Sequence, residues 1–113
     1  MAKPRHPTFK EALALMRSRN AMDAEGGFLE VQRMAREHVA ELMAAFAVEP
    51  QDGVRCWLLE LIGEARAPEA FALLCEQSAS ADESLRSWAV RGLQMLGTPD
   101  ARAFLYARGL PRA

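Results

Sequence analysis

The chain has 113 residues, half of them apolar, with 14 Lys and Arg against 15 Asp and Glu and a net charge of −1. That is enough for one domain with a hydrophobic core and leaves little room for a second. The balanced charge argues against a chain devoted to nucleic acid, whose footprint is basic, and no apolar run approaches the length of a membrane span.

In chain order, Met1 to Pro7 is polar, carries two prolines and lacks the apolar stretch of a secretory signal, so 1–7 is expected to be a flexible N-terminus. Thr8-Phe9-Lys10-Glu11 reads as a capping box, predicting a helix to about Asn20 with Phe9, Leu13 and Met16 on its apolar side. Gly26-Gly27 is expected to break the chain. A single long helix is then predicted from Phe28 to about Val48. Its stripe runs Phe28, Val31, Met34/Ala35, His38/Val39, Leu42/Met43 and Phe46.

Pro50 and Gly53 end that stripe. A helix over 52–65 follows, with Val54, Leu58, Leu61 and Ile62 inward. Pro68, at a tolerated first-turn position, opens a helix to about Ser78. Another is predicted over 83–96, stopped by Gly97. Thr98-Pro99-Asp100 supplies cap, first-turn proline and first-turn acid for the last helix, which ends near Gly109. Strand signals are almost absent.

The expected organisation is all-α: about six helices, as stacked antiparallel hairpins in one domain over 8–109. Its parts are a cap helix (8–27), repeat units (28–66 and 67–97) and a C-terminal helix (98–109), followed by a tail (110–113). Charge is segregated along the chain. Residues 1–20 carry a net +4, 21–83 have thirteen acids against four bases, and 84–113 have five arginines against Asp100. Stacked helices would turn that order into an acidic middle between basic ends, which suits a partner with a basic surface.

Two segments match without a gap at an offset of 31 residues. Val54-Arg55 aligns with Leu85-Arg86, Trp57 with Trp88, Ile62 with Leu93, Pro68-Glu69-Ala70 with Pro99-Asp100-Ala101, and Leu74 with Leu105. Arg66 stands where the second copy has Gly97. The segments VRCWLLELIGEARAPEAFALL and LRSWAVRGLQMLGTPDARAFL resemble the short bacterial HEAT-like repeats, a type also found in phycobilisome lyases. The resemblance implies a HEAT-like α-solenoid. Its Val-Arg helices would line a concave inner side, and its proline-started helices would lie outside. It also implies structural roles for Arg55, Arg86, Pro68 and Pro99, with the arginines pairing to acids such as Asp52, Asp82 or Glu83.

On the two inner helices the edge of the buried stripe carries Trp57, Glu60 and Glu64, and Trp88, Arg91 and Met95. Side by side these would form a ladder: Trp57 beside Trp88, Glu60 beside Arg91, Glu64 beside Met95. Tryptophan and arginine are favoured interface anchors, and methionine suits an adaptable surface. The alternative is that both indoles complete the core.

No catalytic constellation stands out. His6 and His38 are isolated, no metal-ligand spacing is present, and Cys56 and Cys75 sit in apolar helical patterns typical of reduced thiols in a cytoplasmic protein. Glu60 and Glu64 share a face, but a solvated acid pair is commoner than an acid/base pair.

The expectation is therefore a cytoplasmic, non-enzymatic protein-binding module without metal or cofactor. It would act as an adaptor, an inhibitor, or an immunity protein against a toxin with a basic rim. The alternatives are a HEAT-type lyase or nucleic-acid glycosylase, or a subunit that self-associates as a homodimer through a C-terminal end bearing Arg102, Arg108 and Arg112.

Overall fold

The computed structural model describes residues 6–113, so most of the expected flexible leader lies outside the described residues. Among them there are seven α-helices, two 3₁₀ turns and no strand. The all-α expectation holds, with one helix more than the six predicted. The chain falls into two compact units, one ending at Met34 and the other spanning Ala35–Ala113.

The first unit is a hairpin of α1 (Phe9–Leu15) and α2 (Ala21–Met34). The Thr8 capping box forms as expected: the Glu11 N–H donates to Thr8 Oγ1 and the Thr8 N–H to Glu11 Oε1. α1 stops five residues earlier than predicted. The cause is a second cap: Asn20 Oδ1 accepts from the Asp23 N–H at 3.1 Å and starts α2 at Ala21.

The predicted break at Gly26-Gly27 is wrong, because both glycines lie inside α2. Gly27 is a packing residue. A Cβ there would sit 2.7 Å from the Ala12 carbonyl oxygen and 2.7 Å from Leu15 Cβ, so its absence lets α1 and α2 approach closely. Gly26 would meet nothing within 4 Å. The two neighbours should therefore respond oppositely to alanine. Gly26→Ala should stabilise the hairpin by about 0.5–1 kcal/mol through reduced chain entropy. Gly27→Ala should destabilise it by about 1–3 kcal/mol through overpacking. Hydrogen exchange of α2 amides reads both, and shifts of the same sign would contradict the assignment.

The predicted single helix over 28–48 is also corrected. α2 ends at Met34, Ala35–Glu37 is a 3₁₀ turn, and α3 begins at Val39. His38 sits between them with φ −134° and ψ 31°, outside the helical region. No glycine or proline marks the interruption. The apolar pattern hides it, since Val31, Ala35, Val39, Leu42 and Phe46 are all buried at spacings a continuous helix would also give.

The second unit then runs α3 (Val39–Val48), α4 (Asp52–Glu64), a 3₁₀ turn Pro68–Ala70 leading into α5 (Phe71–Gln77), α6 (Glu83–Leu96) and α7 (Pro99–Ala107). α4 and α6 pack side by side. α3 covers α4, while α5 and α7 cover α6. Phe71 of α5 meets Phe104 of α7 edge-to-face at 6.3 Å, so α5 and α7 also touch. The result is two layers, α4/α6 and α3/α5/α7. Between them lie Leu42 and Phe46, Val54, Leu58, Leu61 and Ile62, Leu74, Leu85, Ala89 and Leu93, and Leu105. Leu59, which the sequence pattern left out, is wholly buried too.

Asp82 caps α6 through the Leu85 N–H at 3.0 Å, and Thr98 caps α7 through the Ala101 N–H at 3.2 Å. Pro68 and Pro99 occupy the first positions of their segments. The repeat is visible in the backbone as well. Gly97 ends α6 in the left-handed region with φ 61°, and Arg66, 31 residues earlier, occupies the same region after α4 with φ 52°. An L side chain there costs roughly 1 kcal/mol. Arg66→Gly should accordingly raise stability by about 1 kcal/mol, seen as a higher urea midpoint; an unchanged or lower midpoint would mean the Arg66 side chain offsets the strain.

Candidate functional site

α4 and α6 meet closely because each carries a glycine at the crossing. A Cβ on Gly63 would lie 2.9 Å from Gly92 Cα, and one on Gly92 would lie 3.1 Å from Gly63 Cα. The side of each helix turned away from the core then carries the predicted ladder. On α4 the sequence is Gly53, Trp57, Glu60, Glu64; on α6 it is Ser84, Trp88, Arg91, Met95. Trp57, Glu60, Glu64, Trp88 and Met95 are half-buried, and Arg91 is exposed. Neither indole belongs to the wholly buried core, and neither projects freely.

One rung, Glu60 and Arg91, is felt in the electrostatics. Burial raises the Glu60 carboxyl above its ordinary value, Glu64 one turn on raises it further, and Arg91 across on α6 pulls it down. Near the other end of the helices, Cys56 is raised by burial first and then by Asp82 and Asp52, with Arg55 opposing. So Glu60 feels Arg91 and Cys56 feels Asp82, as two parallel helices side by side require. Along α4, α6 and the Asp82 cap, the acids Asp52, Glu60, Glu64, Asp82 and Glu83 outnumber the bases Arg55, Arg86 and Arg91, so the two indoles sit on helices with a net negative charge.

The same shifts bear on chemistry. A nucleophilic thiol needs a lowered pKa, whereas burial raises Cys56 and, against the pull of Arg108, Cys75. Both cysteines are free thiols. His38 Nδ1 pairs with Glu41 at 2.8 Å, and His6 Nδ1 with Glu30 at 3.0 Å. Among the described residues, no group of three His, Cys, Asp or Glu converges to hold a metal. A shallow groove of about 690 Å³ lies along Pro7, Glu11, Ala14, Leu15 and Ser18 of the first unit; those residues include none of the ladder.

The two repeat arginines find partners other than the expected carboxylates. The Arg55 guanidinium stacks 4.5 Å from the Phe46 ring centre, with its Nε buried and unpaired. Arg86 donates to the carbonyls of Ser80 at 2.9 Å and Ala81 at 3.0 Å, tying down the loop before its own helix. In both cases the flat guanidinium finds a closer match than a solvated acid: an aromatic face in one and a pair of carbonyls in the other.

Among the described residues no helix is long and apolar enough to cross a membrane. No curated protein and no solved structure matches the chain. The family model for HEAT repeats matches residues 39–110, which takes in α3 to α7 and more than half of the chain. The two-layered helical hairpins, the repeat offset and this match agree: the chain belongs to the HEAT repeat family.

Proposed function

We propose that this chain is a non-enzymatic, cytoplasmic protein-binding module that grips a basic segment of another protein on the half-buried face of α4 and α6 that carries Trp57 and Trp88. HEAT repeats commonly mediate protein–protein interaction. The observation that carries the reading is the half-buried pair Trp57 and Trp88, at equivalent positions on adjacent helices of net negative charge. Indoles set partly into a rigid surface present large area at low entropic cost, the character of an interface anchor. Glu60 and Glu64 would receive the partner's cations, while Arg91 and Met95 close the other edge. Steric occupation of a partner's basic surface is the action of an adaptor or an inhibitor. An immunity protein that covers a toxin's basic active-site rim is one form of the latter.

The test is capture of partners from the native cell by the wild-type chain and by a Trp57→Ala/Trp88→Ala chain, with helical content followed by circular dichroism. A specific partner retained by the wild type and lost by the helical double variant supports the reading. Equal capture by both overturns it.

A further inference from the structure

The outer layer ends in a surface of opposite charge. α7 and the residues after it carry Arg102, Tyr106, Arg108 and Arg112, all exposed, with Tyr106 at 71%. Asp100, in the first turn of α7, is the one acid of this segment. Among the described residues no ion pair engages Arg102, Arg108 or Arg112.

Two of these arginines are held in place by rings instead. The Arg108 guanidinium lies 4.8 Å from the Phe104 ring centre, and Arg112 lies 5.2 Å from that of Tyr106. The backbone builds the second stack. Gly109 takes φ 67° and the Leu110 N–H donates to the Leu105 carbonyl at 2.8 Å, so the chain folds back over the end of α7. Gln94 Nε2 then donates to the Pro111 carbonyl at 2.9 Å, anchoring the tail to α6 and setting Arg112 over Tyr106. Arg108 also reaches the α5 side, where it opposes the burial-driven rise of the Cys75 thiol. A stacked guanidinium keeps its edge donors free, so these arginines present oriented forks to solvent with part of their ordering entropy already lost.

We infer that this arginine–aromatic surface at the end of α7 is a second docking site, and that its occupant is an acidic peptide segment of a partner protein. Carboxylates match guanidinium forks in a bidentate manner, and clustered arginines are the usual readers of acidic motifs. Three cations are a small footprint, suited to a short run of Asp and Glu. A longer polyanion such as RNA would call for a longer run of cations than these three. An anionic membrane would want a broad exposed apolar face beside the cations, and on α7 Tyr106 is flanked by the small Ala103 and Ala107. The site differs in place and in sign from the α4/α6 surface, so one chain can hold a basic and an acidic partner together.

The probe is a fluorescein-labelled oligoglutamate peptide, titrated with the full chain at low salt and followed by anisotropy. Saturable, salt-sensitive binding is expected. Arg102→Glu/Arg108→Glu/Arg112→Glu should weaken it at least about tenfold. The corresponding triple lysine variant keeps the charge but loses fork and stack, and should weaken binding several-fold. Trp57→Ala/Trp88→Ala should bind the peptide like the wild type, which separates this site from the one proposed above. All of these side chains are exposed or half-buried, and circular dichroism confirms that each variant is folded. Three outcomes overturn the inference: undiminished binding in the glutamate variant, wild-type affinity in the lysine variant, or tighter binding of oligouridylate or of phosphatidylserine vesicles than of the peptide.

Discussion

Trp57→Ala/Trp88→Ala is expected to lose at least about 100-fold in partner affinity while remaining helical. Truncating one interface anchor commonly costs about 2 kcal/mol or more, and each 1.4 kcal/mol is about tenfold in the dissociation constant. Two indoles on neighbouring helices would be contacted by one partner segment, so their losses combine without being strictly additive. The fold should survive because neither indole is part of the wholly buried core, which Val54, Leu58, Leu61, Ile62, Leu85, Ala89 and Leu93 supply. The single variants separate the contributions. An affinity within threefold or so of wild type in the double variant, or collapse of the helical signal, would remove the anchor role.

Gly63→Val is expected to destabilise the second unit by about 3 kcal/mol. Its Cβ would meet Gly92 Cα at 2.9 Å, Gly92 N at 3.6 Å and the Trp88 carbonyl oxygen at 4.0 Å, all of them backbone atoms. Backbone in the middle of a helix cannot step aside as a side-chain end can. α4 and α6 must therefore separate, and the contacts of Leu58, Leu61, Ile62 and Leu93 loosen with them. Gly92→Val meets the same obstacle at Gly63 Cα, 3.1 Å away, together with the more yielding Leu74 side chain at 2.9 Å. It should cost somewhat less.

Urea midpoints rank the two variants, and Gly26→Ala in the first unit controls for the helix-propensity gain that any glycine replacement brings. Midpoints of both variants at or above wild type would show that the helices do not depend on this crossing. The separation carries a functional consequence as well. Trp57 and Trp88 sit on the two helices that the glycines hold together, so a folded Gly92→Val chain should also bind its partner less tightly.

The sequence carried the helix ends of the repeat for a simple physical reason. Tight caps, first-turn prolines and terminal glycines are local devices whose residue requirements are strict. Thr98, Pro68, Pro99 and Gly97 act where the pattern placed them; of these only the first-turn proline recurs in both copies, and the 31-residue match rests otherwise on the shared apolar, arginine and tryptophan positions. Local signals failed where one residue type serves two ends. Gly26-Gly27 reads as a turn, yet Gly27 is required by the approach of α1, a fact held in residues more than ten positions away. The interruption between Met34 and Val39 escaped because buried residues kept a helical spacing through it.

At the candidate site, the inner-face ladder could be read ahead as an expectation, since period and repeat offset together state which residues share a face and which helices are neighbours. What the pattern could not state was depth. Whether Trp57 and Trp88 were core or surface depended on how closely α4 and α6 approach, and that distance is governed by Gly63 and Gly92. Nor could it foresee that Arg55 would choose the Phe46 ring, that Arg86 would choose two carbonyls, or that the tail would fold back to stack Arg112 on Tyr106.

The amino-acid sequence by itself thus determined the helices from Asp52 onward and their order, because those follow from local sterics and periodicity. Only the tertiary structure decided how deep the indoles lie and where each arginine is held. Those outcomes depend on the separation of elements far apart in the chain and on which partner, ring or carbonyl or acid, comes within reach.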